Sequence, residues 1–230
     1  MRTARTTIVV LLLTVVGSLV PSANAASDGA REMRGRLDRL GCDAGRASTR
    51  DPHTRAAVVR FQAANGLRQS GHLTQRTRKL LTASTQVRCD RRPVPASAAG
   101  RRVVVSQHQN YVWLVRANGS VLAQGGMIDN TRELRPGHYK VGSLCGRRAK
   151  IRMNTDYSGR LWLPYFTRFA NCGVGFHRIP LARSTGHPIH PEWLLGTDAR
   201  TSSGCLRLSQ RLAKRLWTFA GVGTRVVVLR

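Results

Sequence analysis

Apolar positions in the first part of the chain recur with a helical period. Met33, Leu37 and Leu40 fall at i, i+4 and i+7, and Gly41 stands where such a helix would stop. Asp51-Pro52 reads as a cap followed by proline at the first helical position. Val58 and Phe61 form the next apolar face, which Asn65-Gly66 closes. Thr74 caps a third short helix carrying Leu80 and Leu81. Three short helices within residues 31–89 make a marginal core, which a bridge between Cys42 and Cys89 would stabilise by about 2–4 kcal/mol.

Residues 90–100, rich in proline and small side chains, read as a linker. The period then changes. Val103–Val105, Tyr111–Val115 and Val121–Ala123 read as strands, the last two joined by the hairpin turn Asn118-Gly119. Pro136-Gly137 marks a turn before the strand-like His138–Val141, and shorter strands are expected at Leu161–Leu163 and Gly173–His177. The stretch from Arg178 to Thr201 is too long for a mere connection and suggests a lid or cleft wall. One amphipathic helix, Ser209–Phe219, turns Leu212, Leu216 and Phe219 inward, and Thr224–Leu229 is a closing strand. The chain therefore reads as α+β and multidomain: a small three-helix bundle over 31–89, then a strand-rich domain over 101–230.

At the N-terminus, Arg2 and Arg5 precede an apolar run from Ile8 to Val20 that ends in Ala23-Asn24-Ala25. That is the layout of a secretory signal peptide over residues 1–25, and the run is short for a membrane span. The expected product is secreted to the cell wall, with no membrane association after cleavage. The full chain's formal charge of +27 falls only by the two leader arginines on cleavage, and comes almost wholly from arginine. Outside a cell such a charge suits anionic cell-wall polymers, whether carboxylates or teichoic phosphates. Nucleic acid is the other partner for a basic chain. The export signal and the lack of a basic helix with interleaved aromatics argue against it.

The cysteines are Cys42, Cys89, Cys145, Cys172 and Cys205, an odd number in an exported chain. Pairing within domains, Cys42 with Cys89 and Cys145 with Cys172, is the natural assignment and leaves Cys205 over. That cysteine lies in Thr201-Ser202-Ser203-Gly204-Cys205-Leu206-Arg207-Leu208. Gly204 leaves room for a substrate to approach the backbone. A thiol beside a helix starting near Ser209 is biased towards the reactive thiolate. The base expected for it is His177, which ends an apolar strand in Gly173-Val174-Gly175-Phe176-His177-Arg178. By spacing alone His187 competes for that role, while His53, His72, His108 and His138 read as surface or structural. Zinc held by Cys172, His187, His190 and Cys205 is the rival chemistry. However, His187-Pro188-Ile189-His190 lacks the glutamate of a zinc-peptidase helix, so no metal or other cofactor is expected. A wall-binding protein without catalysis is the remaining class.

Two resemblances sharpen this reading. Phe61-Gln62-Ala63-Ala64-Asn65-Gly66-Leu67, followed by Gly71-His72-Leu73-Thr74 and Thr77, resembles the small three-helix peptidoglycan-binding domain of cell-wall enzymes. Residues 101–230 resemble the L,D-transpeptidase catalytic domain through Arg135-Pro136-Gly137, the strand ending in His177, and Ser202-Ser203-Gly204-Cys205-Leu206-Arg207-Leu208. The resemblance implies a mostly β fold in which Cys205 is acylated by a peptidoglycan stem peptide, releasing terminal D-alanine. An amine of a second stem then takes the acyl group, or water does, as in an L,D-carboxypeptidase. It implies His177 as the base, its ring oriented by the backbone carbonyl of Arg178, and an oxyanion site at the N–H groups of Gly204 and Cys205. Ser203 stands where many members carry histidine; it can donate a hydrogen bond but cannot serve as a second base. Arg207 is the candidate for a stem carboxylate, or a brace for the loop.

Overall fold

The computed structural model describes residues 23–46, 51–198 and 202–230; most of the expected leader, residues 1–22, lies outside them, as does Thr201. Helix α1 (Ala23–Arg39) starts ahead of the pattern read from Arg31, in an alanine-rich stretch that favours helix. In α2 (Pro52–Ala64) the Asp51 carboxylate accepts from the backbone of His53 and Thr54. In α3 (Gln75–Thr82) the Thr74 hydroxyl accepts from Thr77 N–H. Both caps satisfy donors that a helix start leaves unpaired. Met33, Leu37, Val58, Phe61, Leu67 and Leu81 form one core with Cys42 and Cys89, which are disulfide-bonded.

The second part is a ten-stranded sheet in the order β4-β10-β1-β2-β3-β9-β7-β6-β5, with β8 paired to β6. Its strands are β1 (Arg102–Ser106), β2 (Tyr111–Val115), β3 (Val121–Ile128), β4 (Gly137–Lys140) and β5 (Lys150–Thr155), followed by β6 (Leu161–Ala170), β7 (Val174–Arg178), β8 (Leu181–Ala182), β9 (Leu206–Leu208) and β10 (Arg225–Leu229). Helix α4 (Gln210–Phe219), capped by Ser209, packs on β3, β6 and β7. The architecture is thus a three-helix region followed by a mostly β domain with one embedded helix.

The sheet closes around a single core. Val103, Val105, Val112, Leu114, Val226 and Val228 from one half meet Phe169, Phe176, Leu206 and Leu208 from the other, with Leu212, Leu216 and Phe219 of α4. The alternate residues of β1 and β2 are covered too. Val104, Tyr111, Trp113 and Val115 pack with Val94, so residues 90–100 lie on the outer face of the sheet. Burial on both faces explains why these strands read as unbroken apolar runs.

Two buried arginines join the helical region to the sheet. Arg92 stacks its guanidinium 4.1 Å over the Tyr111 ring and donates to the carbonyls of Cys89, Gln109 and Arg60. Arg60 donates to the carbonyls of Cys42 and Asp43 within its own domain and to that of Trp193 across the interface. The ring of His53 stacks on Trp193 with centroids 5.0 Å apart. Burial lowers both guanidiniums to about 10, and both remain cationic at neutral pH.

Leu216 is fully buried where α4 meets the sheet. Leu216→Ala is expected to cost about 2–5 kcal/mol through lost burial and the cavity left behind. Denaturant unfolding followed by tryptophan fluorescence measures it, and a cost below about 1 kcal/mol would contradict the packing described.

Candidate active site

The site is built on β7 and β9, which pair in parallel with Phe176 beside Leu206, His177 beside Arg207 and Arg178 beside Leu208. Side chains alternate along a strand, so Phe176, Leu206 and Leu208 enter the core while His177 and Arg207 point to the opposite face. One step earlier, Cys205 shares that face and lies next to Gly175. Its sulfur contacts the backbone here, donating to the Gly173 carbonyl at 3.2 Å. His177 and Cys205 therefore stand on one surface, about 6.6 Å apart along the strand direction.

The imidazole is only 2 % exposed. Its Nδ1 lies 2.5 Å from the Arg178 carbonyl, which orients the ring. Phe166 stacks on the other side, centroids 6.3 Å apart. Burial lowers the His177 pKa to about 4, against the Arg178 carbonyl contact that raises it, while nearby Arg207 lowers it further. The ring is neutral at neutral pH and able to accept a proton.

The sulfur departs from expectation. A helix N-terminus beside Cys205 was to favour the thiolate, but β9 intervenes and α4 starts only after Ser209. The helix dipole fades within its first turn. Burial pushes the thiol above its usual range, opposed by the Gly175 N–H and by the charges of Arg168 and Arg207. The sulfur rests as a thiol, on the same face of the sheet as a neutral imidazole.

Several supporting groups were not read from the sequence. Arg168, 1 % exposed, lies 4.9 Å over the Phe166 ring and donates to the carbonyls of Arg148 and Cys172. Cys172 is bonded to Cys145, so a disulfide anchors the segment whose Gly173 carbonyl receives the Cys205 thiol. Gly175 admits no side chain: a Cβ there would stand 2.7 Å from the Thr167 carbonyl and 2.9 Å from the Phe166 ring. Arg168 was the readable signal, as a charge inside the apolar run Tyr165–Ala170.

The turn before the cysteine is held from β3. Ser202 N–H donates to the Asp129 carbonyl at 3.2 Å, and Asn130 Nδ2 donates to the Ser202 carbonyl at 2.9 Å. Gln107 in turn donates to the buried Asp129 carboxylate at 2.8 Å. Gly204 has φ +123, a conformation that favours glycine, and its N–H donates to Ser202 Oγ at 3.1 Å. One of the two expected oxyanion donors is thus engaged within the turn. Ser203 is exposed, and Arg207 is partly buried on the sulfur's face.

The segment after β7, described as far as Asp198, packs part of its length as a wall on the sheet. Ile179, Leu194 and Leu195 pack on Ile128, which pairs with Arg207 and so belongs to the sulfur's face. Within this segment a short 3-10 helix, Glu192–Leu194, carries the Trp193 that meets the helical region. His187 is exposed, its carbonyl accepting from Ala182 N–H, whereas His190 is buried with Nδ1 3.1 Å from the Pro191 carbonyl. Cys172 is disulfide-bonded, and among the described residues no three histidine, cysteine, aspartate or glutamate side chains gather as a metal site.

Comparisons with known proteins extend this geometry. No curated protein matches the chain. Among solved structures, an L,D-transpeptidase from Xylanimonas cellulosilytica is 20 % identical, with 87 % of this chain and 92 % of that one covered and a TM-score of 0.49. An L,D-transpeptidase from Stackebrandtia nassauensis is 23 % identical over 87 % and 90 % of the two chains, at a TM-score of 0.45. A fused zinc-dependent amidase/peptidase and peptidoglycan-binding protein from Clostridium acetobutylicum is 17 % identical over 87 % and 95 %, at 0.42. Residues 27–81 match the model of a peptidoglycan-binding domain. The model of the L,D-transpeptidase catalytic domain matches residues 100–228, more than half of the sequence, and the chain belongs to that family.

Proposed function

We propose that this protein is an exported peptidoglycan L,D-transpeptidase, delivered by the leader over residues 1–25 and held at the wall by its helical region and positive charge. One observation carries the reading: the parallel β7–β9 register sets the cysteine outside both disulfides on the same face as a buried, neutral imidazole. No described helix is long and apolar enough to cross a membrane, which accords with a wall-associated enzyme.

Cys205 sulfur bonds to the carbonyl carbon between the L-centre of diaminopimelate and terminal D-alanine, while the thiol proton passes to His177. The oxyanion is received by the N–H of Cys205 and by that of Gly204, which exchanges Ser202 Oγ for the substrate oxygen. His177 then gives the proton to the departing amine, D-alanine leaves, and a thioester remains. An amine of a second stem attacks the thioester. His177 takes the amine proton and returns it to the sulfur as the new amide forms. Arg207, on the same face, binds a stem carboxylate.

Purified muropeptides incubated with the wild-type protein are expected to lose D-alanine and gain cross-links by mass spectrometry. Cys205→Ala should abolish both while keeping its unfolding transition; retained cross-linking would overturn the assignment. A thiol alkylator should inactivate the enzyme and a chelator should not, the reverse of a zinc peptidase.

A neutral His177 also sets the pH response. Single-turnover acylation is expected to fall on the acid side with a midpoint near 4, where the buried ring protonates, and to show no break at the ordinary histidine value of 6.5. A midpoint at 6.5 would mean an exposed ring. Stability follows the same group. Between 6.5 and about 4 only the unfolded chain binds the proton, so folding weakens as pH falls through that window, by at most about 1.4 kcal/mol per unit. Unfolding midpoints of wild type and His177→Gln, compared across those pH values, should diverge by that slope.

A further inference from the structure

Five of the chain's cations gather in one groove on the outer side of α4. On α4 the residues Arg211, Lys214, Arg215 and Thr218 are exposed and fall at i, i+3, i+4 and i+7, a single stripe opposite the buried Leu212, Leu216 and Phe219. Arg101 and Arg116 face the same groove, which has a volume of about 760 Å³ and an apolar strip made by Leu122 and Phe219. Among the described residues, no carboxylate pairs with any of these five cations. The groove continues past Leu122, Arg211 and Arg215 into a second hollow lined by Arg91 and by Asp90, whose carboxylate is already paired with Arg88 at 2.9 Å.

Part of this set is fixed in place. Arg101 lies 4.2 Å over the Phe219 ring and donates to the Phe219 carbonyl, and Arg215 donates to the Leu122 carbonyl at 3.3 Å. A guanidinium has five N–H donors, so these contacts leave others for a ligand. Held arginines lose less freedom on binding than loose ones. Packing five like charges along one trough raises the energy of the free protein, and an anion placed there relieves it.

We infer that this trough binds a linear polymer with a phosphodiester in each repeat, of the polyol-phosphate type, and thereby tethers the enzyme while its reaction face stays open. Two adjoining hollows that share Leu122, Arg211 and Arg215 suit a chain better than a single phosphate. The apolar strip suits the carbon backbone between phosphates. Cations recurring within one helical turn, about 5.4 Å, match a polymer whose charge also repeats at short intervals. Arginine meets phosphate oxygens in pairs. The location completes the argument: α4 covers the core side of β7, whereas Cys205, His177 and Arg207 occupy the other side.

The test uses the full mature chain and a fluorescein-labelled glycerol-phosphate oligomer, with anisotropy read at several salt concentrations. The triple change Arg211→Gln, Lys214→Gln and Arg215→Gln is expected to weaken binding at least about tenfold. It should also flatten the log–log salt slope by about 2, as three fewer counterions are released. An equal loss of charge on the helical region, Arg76→Gln, Arg78→Gln and Lys79→Gln, should leave affinity within about twofold of wild type. Equal weakening by both triples would show diffuse attraction and overturn the site, as would an α4 triple that binds normally. Tighter binding of duplex DNA than of the oligomer, at equal phosphate, would overturn the assignment to a wall polymer. The single change Lys214→Gln, with a threefold or smaller loss but the same sign, keeps the test valid where the triple fails to fold. Thioester formation at Cys205 is followed in parallel. A variant that acylates normally but no longer binds the oligomer supports the tether, and a wild type that binds it without acylating would sink only the proposed reaction.

Discussion

The parallel pairing of β7 with β9 is the constraint from which the site follows. Two strands distant in sequence lie side by side only because β3, β6 and α4 flank them and one core holds all five. A slip of one residue would carry either Cys205 or His177 through the sheet into that core. The register is therefore protected by the burial of Phe176, Leu206 and Leu208, residues with no chemistry of their own. Hydrophobic packing on one side of the sheet is what aligns the polar groups on the other.

That division explains what could be read in advance. The caps at Asp51 and Thr74, the apolar runs of β1 and β2, and the inward stripe of α4 are local signals, and the structure carries each where the pattern placed it; Ser209, read as the first residue of α4, is its cap. Strand β5 was missed although Ile151 and Met153 alternate with Lys150, Arg152 and Asn154: two large apolar side chains in a half-exposed strand at the sheet edge give only a weak signal. Strand β3 runs on past Ala123 through Gly125-Gly126, a pair that reads as a turn. These glycines are instead places of close approach, where a Cβ would come 3.2 Å from Leu212 and 2.7 Å from the Gly196 nitrogen. In the site, Cys205 and His177 stood out through their local context. Asp129, Asn130 and Phe166 did not, because their value lies in contacts with residues far along the chain. The state of the thiol was misjudged for a related reason: proximity in sequence to α4 is not proximity to its first turn.

The two parts of the chain also meet more closely than a linker would require. Arg60 and Arg92 spend their donors on backbone carbonyls from both sides of the boundary, and His53 lies against the same Trp193 that Arg60 reaches. Trp193 belongs to the wall over the sulfur's face. The helical region is thereby in physical contact with the rim of the site, and buried cations bonded to carbonyls define one relative placement rather than many.

The disulfide at Cys145–Cys172 has a consequence for redox chemistry. The proposed reaction needs three sulfurs of one domain in two different oxidation states at once: a bonded pair shaping the backbone at Gly173, and a reduced neighbour leaning on that same carbonyl. A strong reductant would release the support, and a strong oxidant would consume the nucleophile. Keeping the free sulfur partly buried and protonated slows its oxidation, because thiolate is the form that reacts. The fold thus sets a window of redox potential within which all three sulfurs hold their required states.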